Sequence, residues 1–163
     1  SILNCHFLSG EIDGGESVGG IVGNVGYDKA DKSTVSGCSA DASVKGNEKV
    51  GGLCGWFGNG DHEFSKCTMK GSVTVTGSYC GGLVGYLCDS KGKFEECQFE
   101  GSIKKDGDNV SDTGIAIGAD KSSVTFENCV CTIDEQTKTD LGKDNKVGSS
   151  SRLSDVYSGI TVK

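Results

Sequence analysis

Along most of this chain apolar residues recur at every second position in short runs, as in Gly71-Ser72-Val73-Thr74-Val75-Thr76, and the runs break at glycines and small polar residues. That is strand periodicity with one face buried. A helical solenoid would instead place apolar residues three and four apart over ten or more positions, with more Ala, Leu and Glu.

The runs themselves return. A Gly-Gly-apolar-x-Gly box stands at 19–23 (GGIVG), 51–55 (GGLCG) and 81–85 (GGLVG), with a degraded copy at 114–118 (GIAIG). A second marker, a cysteine followed by an alternating stretch, falls at Cys5, Cys38, Cys67, Cys97 and Cys129, with spacings of 33, 29, 30 and 32. Aligning the copies gives uniform columns: Ile2, Val35, Phe64, Phe94 and Phe126 three residues before the cysteine, and Phe7, Ala40, Met69, Phe99 and Cys131 two after it. Val44, Val73 and Ile103 form a third column, and in the boxes Ile21, Leu53, Leu83 and Ile115 are followed by Val25, Phe57 and Leu87.

Several short strands per repeat, with like residues stacking coil upon coil, predict an all-β fold: a short parallel β-helix solenoid, right-handed by general preference, with coils of about 30 residues. Five coils would stand only about 25 Å tall. A β-sandwich is the alternative, disfavoured because sandwich strands do not repeat in sequence. The coils are expected over 1–135, and 136–163 as a degenerate last coil or C-terminal cap, with a ruined box at 142–151 and a final strand at 156–162. Residues 2–10 already match 94–101, so the first coil begins mid-repeat and is expected to expose unpaired backbone groups.

Composition sharpens this picture. Glycine is abundant at 27 residues and proline is absent, which suits many tight turns between hydrogen-bonded strands. The net charge of -7, with scattered lysines, argues against a nucleic-acid partner, which needs a basic stripe. No apolar run is long enough to insert in a membrane as a helix. Nine cysteines favour an oxidising, extracellular or cell-surface setting, and the odd number leaves at least one unpaired within the chain.

The glycine boxes about 30 residues apart resemble the GLUG-type repeat, a short glycine motif of large surface and secreted proteins, adhesin-like and IgA-protease-like ones included; the resemblance spans 18 to about 134. It implies a noncatalytic stalk or binding module and brings no catalytic residues. The cysteine column departs from the plain motif.

Cys5, Cys38, Cys67, Cys97 and Cys129 share the parity of the inward Phe/Met column. Two readings stay open: a stack of small buried hydrophobes, or inter-coil disulfides such as Cys67 to Cys97, since stacked Cα atoms lie within disulfide range. Cys54, Cys80 and Cys88 are placed on outward positions. Zinc is disfavoured: no CxxC pair occurs, Cys129-x-Cys131 is isolated, and His6 and His62 lie far apart in the repeat. Carboxylates gather at Asp61-His62-Glu63, Glu95-Glu96, Asp106-Gly107-Asp108-Asn109 and 140–144, each read as a turn or an outward strand position. Asp106, Asp108, Asn109 and Asp112 form a weak calcium candidate without the full ligand set of an EF-hand. Asn109-Val110-Ser111 is a formal glycosylation sequon.

Trp56 and Tyr86 occupy one outward position in neighbouring coils, with Asn24 before them; they are either a sugar-binding platform or a stabilising surface ladder. The expectation is therefore a noncatalytic extracellular structural or adhesive module without cofactor, stacking end to end with itself or with adjoining coils, or contacting glycans or a host surface protein. The alternative is a carbohydrate-binding or carbohydrate-cleaving β-helix using the Trp56 and Tyr86 face.

Overall fold

The computed structural model describes residues 1–140 and 159–163. The ruined box expected at 142–151, the start of the strand expected at 156–162 and most of the 140–144 carboxylates lie outside the described residues.

In the first coil β1 (Ile2–Leu3) turns a corner into β2 (His6–Asp13) and β3 (Glu16–Gly19), and a second corner leads to β4 (Val22–Val25). The second coil repeats this as β5 (Lys32–Ser36), β6 (Ser39–Gly51) and β7 (Cys54–Phe57). The third uses β8 (Gly60–Ser65), β9 (Thr68–Gly81) and the first half of β10 (Val84–Glu95), whose second half opens the fourth. The fourth continues with β11 (Gln98–Lys105), β12 (Ser111–Thr113) and β13 (Ile117–Glu127). β14 (Cys129–Ile133), a single helical turn and a half, α1 (Glu135–Asp140), and β15 (Ile160–Val162) follow. Strands of successive coils pair in parallel into two sheets, a seven-stranded one holding β1, β5, β8 and β10 and an eight-stranded one holding β2, β6, β9, β11 and β14. The chain is a parallel β-solenoid, as its period predicts.

Both corners recur from coil to coil among the described residues. The residue before each column cysteine is left-handed: Asn4 (φ 52°), Gly37 (63°), Lys66 (53°), Glu96 (52°) and Asn128 (52°). The other corner is the glycine box, and backbone hydrogen bonds run through it from coil to coil, from Gly20 N to Gly52 O (2.9 Å) and from Gly82 N to Ile115 O (2.9 Å). A Cβ on Gly51 would strike the Cys54 carbonyl, so the turn closes only on glycine. A Cβ on Gly52 would strike the Gly82 carbonyl of the next coil and press on Met69 Cγ at 2.9 Å and Phe99 Cδ2 at 3.1 Å, so the second glycine lets neighbouring coils close up and makes room for the large residues across the core.

The columns pack as their alignment predicts. Phe64 stacks on Phe94, and Phe94 on Phe126, each at 5.0 Å between ring centroids. Ile2 pairs with Val35 and Val35 with Phe64. Phe7, Ala40, Met69, Phe99 and Cys131 run in register, as do Val44, Val73 and Ile103. Buried stacks of this kind supply most of the stability of a solenoid, because each coil touches only its neighbours.

Three expectations need correction. Cys54 and Cys80 point inward and are fully buried. Cys54 follows the buried Leu53 at the box corner, where two consecutive side chains face the core, and it pairs with Val22 and Val84. Cys80 follows left-handed Tyr79 (φ 65°) and lies past a register shift in which β9 carries one residue more than β6, so alternation counted from Val73 reverses before it. Ile115 does not stand in the Leu53 and Leu83 column: Leu83 N donates to Ala116 O at 2.9 Å, so Ala116 stands there and Ile115 takes the place of the second glycine. The column facing that glycine shrinks from Phe99 to Cys131 one coil on, and the larger Ile115 fills the volume.

Beyond β14, Asp134 caps α1 by accepting from Thr137 N (2.7 Å), and Thr137 Oγ1 accepts from Ile103 N in β11 (3.0 Å). Thr137 is buried in that position.

Candidate functional site

The first coil presents the columns that every later coil seals. Val35, Phe64 and Phe94 are buried, but Ile2 above them only partly. Cys38 is buried and Cys5 exposed; Leu53 and Leu83 are buried and Ile21 half-exposed. Phe7 keeps 39% of its surface in solvent, Leu3 55% and Leu8 83%. A cleft of about 210 Å³ lies among Ile2, Cys5, His6, Phe7, Gly20 and Ile21, and a second of about 180 Å³ runs beside Phe7, Leu8 and Ala40. β2 carries one residue more than β6 between Phe7 and Gly10, a bulge that turns Leu8 outward, while the Phe7 ring lies over Gly10. The mid-repeat first coil therefore leaves one long strand edge and the cross-section of the core facing solvent.

The five column cysteines form a ladder running inward from that end. Strand pairs on both sides of the corner set its register: Leu3 with Ser36 and His6 with Ser39, then Ser36 with Ser65 and Ser39 with Thr68, and so on to Glu95 with Glu127 and Gln98 with Val130. Cys5 N donates to Cys38 Sγ at 3.4 Å. Each deeper thiol faces the carbonyl two residues before it and one in the preceding coil, as Cys67 does with Ser65 O (3.3 Å) and Val35 O (3.6 Å). The sulfurs also contact one another. The Cys97 thiol, with help from Cys38, lowers the Cys67 thiol from its ordinary value. Cys97 itself is pushed well up by its thiol contacts with Cys129 and Cys67, and burial pushes Cys38 up. All five are free thiols.

Trp56 and Tyr86 are neighbours in register, half-buried, with Asn24 preceding them. Each ring already has company: the Lys49 ammonium sits 5.7 Å from the Trp56 centroid, and Tyr79 packs on Tyr86 at 4.7 Å. Lys49 also reaches Glu16 (3.5 Å). Burial, then the neighbouring Cys88, pushes the Tyr86 phenol up to about 12. Lys49 and Tyr79 went unnoticed in the sequence, although both occupy one left-handed column with Ser17 and Asp112, visible as residues two before each box.

The four calcium candidates do not converge. Asp106 pairs with Lys45 at 3.1 Å, and Asp112 accepts from Ser111 Oγ at 2.9 Å on its left-handed corner, while Asp108 and Asn109 are exposed. Among the described residues no group of three or more His, Cys, Asp or Glu is placed to hold a metal ion. His62 corrects the outward reading of its stretch: it is 1% exposed, with Nε2 2.7 Å from Asn59 O, its ring edge-on to Phe57, and no partner at Nδ1. Parity with Phe64 would have placed it inward. A polar cleft of about 500 Å³ collects Lys29, Lys32, Asp61, Asp89 and Lys91 where the turns of three coils meet. Lys32, Asp61 and Lys91 are stacked there by register.

Residues 14–45 match the family model of the GLUG motif. That segment is similar to a GLUG repeat. The matched residues run through one complete turn, from the approach to the first glycine box, across β4 and β5, round the Cys38 corner and into β6. The later boxes at 51–55 and 81–85 occupy the same corner of the same solenoid as the box inside the matched segment. No curated protein and no solved structure matches the chain. The motif match and the solenoid fit a repeat module.

Proposed function

We propose that this chain is a noncatalytic structural or adhesive module of an extracellular or cell-surface protein, and that it continues from its open first coil onto another coil, in a second copy or in a longer protein. The observation that carries the reading is the exposure of Ile2, Cys5, Phe7 and Ile21 beside the open outer edge of β2, when the same columns are buried in every coil beneath. What covers each of these columns elsewhere is a further coil, and strand addition at a sheet edge is the general way such an end is satisfied.

Electron microscopy and sedimentation of the purified chain over a concentration series test it. End-to-end strings that disappear on Phe7→Glu are the expected result. A monomer at high concentration whose β2 amides are nonetheless protected from exchange overturns it. The carbohydrate reading has less support, since Lys49 and Tyr79 already occupy the rings of Trp56 and Tyr86. Glycan binding lost on Trp56→Ala would reverse that preference.

A further inference from the structure

We propose that Cys5 is a modification site for low-molecular-mass disulfides, through which the buried thiol ladder is oxidised to coil-to-coil bridges. Three observations converge. The ladder is continuous: five thiols stack in one column, held in register by strands on either side of the corner. Neighbouring strands lie about 4.8 Å apart, inside the Cα separation of about 4.4 to 6.8 Å that a disulfide spans. The column has one open end: Cys5 is exposed, lining the first-coil cleft, and Cys38, Cys67, Cys97 and Cys129 are each 1% exposed or less.

The chemistry balances without a further reactant. A small disulfide, RSSR, is attacked by the Cys5 thiolate, giving Cys5–S–S–R and one RSH. Cys38, already against the Cys5 backbone, loses its proton, attacks Cys5 Sγ and expels the second RSH. Two protein thiols have been oxidised to one bridge and one RSSR reduced to two RSH. Exchange then moves the bridge inward: Cys67 attacks Cys38 Sγ, and Cys5 leaves as a free thiol ready for a second RSSR. Stacked sulfurs favour this step, because an attacking sulfur approaches along the axis of the bond it breaks, and that axis is the column. Cys67, next in register below Cys38, supplies the nucleophile at the second rung once it has given up its proton. With five thiols, two bridges leave one over; bridges Cys38–Cys67 and Cys97–Cys129 return the spare thiol to the exposed position. The exchange belongs to the unassembled chain, because a coil stacked on the first one would cover Cys5.

The test is to treat the reduced full chain with oxidised glutathione and to map bridges by mass spectrometry over time. Expected are bridges Cys5–Cys38 or Cys38–Cys67, with ladder oxidation in Cys5→Ser slowed at least about tenfold because access governs exchange. Cys88→Ser, altering the half-exposed thiol outside the ladder, leaves the rate unchanged, and circular dichroism confirms that both variants fold. Equal oxidation rates in Cys5→Ser and the parent chain overturn the proposal. So does arrest at a Cys5–glutathione adduct, or a Cys5–Cys5 link between chains, with every interior thiol still reduced.

Discussion

The first and third coils are built from the same columns, yet one is sealed and the other is not. In the third coil Phe64, Cys67 and Met69 are buried between neighbours above and below; in the first, Ile2, Cys5 and Phe7 have a neighbour on one side only. The difference shows that burial here is a property of the interface between coils more than of the coil itself, as expected where each repeat cannot cover its own apolar face.

Truncations should break the comparison most sharply. Phe94→Ser removes a ring stacked on both Phe64 and Phe126 and buries a hydroxyl; large core truncations cost about 3 to 5 kcal/mol and the hydroxyl adds to that, so the urea midpoint should fall steeply. Gly52→Val, which drives methyls towards Met69 and Phe99, should cost about 1 to 3 kcal/mol by overpacking, with a further loss where the corner must open. An unchanged midpoint in either variant contradicts the packing described for the middle coils.

Alkali should act on the sealed coils alone. Burial raises the Cys80 thiol to about 12 and also raises Cys54 and Cys131 above their ordinary value of 9.0, while the unfolded chain gives up those protons near 9. Above that pH the native state binds more protons than the unfolded one, so stability is complete below about pH 9 and declines as pH rises towards 12. The slope is about 1.4 kcal/mol per pH unit for each such thiol. A Cys80→Ala chain should lose part of that slope in thermal melts taken between pH 8 and 11. Smallest of all, Phe7→Ala on the half-open coil should cost the monomer about 1 kcal/mol or less, since much of its ring is in solvent already. A loss as large as that of Phe94→Ser would mean the first coil is covered in solution.

Much of this was legible because stacking repeats each choice five times. The columns of Phe94, Phe99 and Cys97 could be read directly, and parity would have placed His62 inside. What escaped was local geometry that alternation does not encode. One inserted residue near Thr76 and Gly77 turned Cys80 inward, a corner buried both Leu53 and Cys54, and the shift at Ile115 became visible only through the shrinking of the opposite column to Cys131. The pairing of Lys49 with Trp56 and of Tyr79 with Tyr86 depends on left-handed corners, which no hydrophobic pattern announces.

The left-handed residue ahead of every ladder cysteine has a consequence for how such molecules change length. Because Asn4, Gly37, Lys66, Glu96 and Asn128 turn the chain alike, a segment cut between any two of them begins and ends in the same direction at the same point of the cross-section. Whole coils can therefore be duplicated or deleted without disturbing those above and below, so that a lineage of these chains can alter its reach while its profile stays constant.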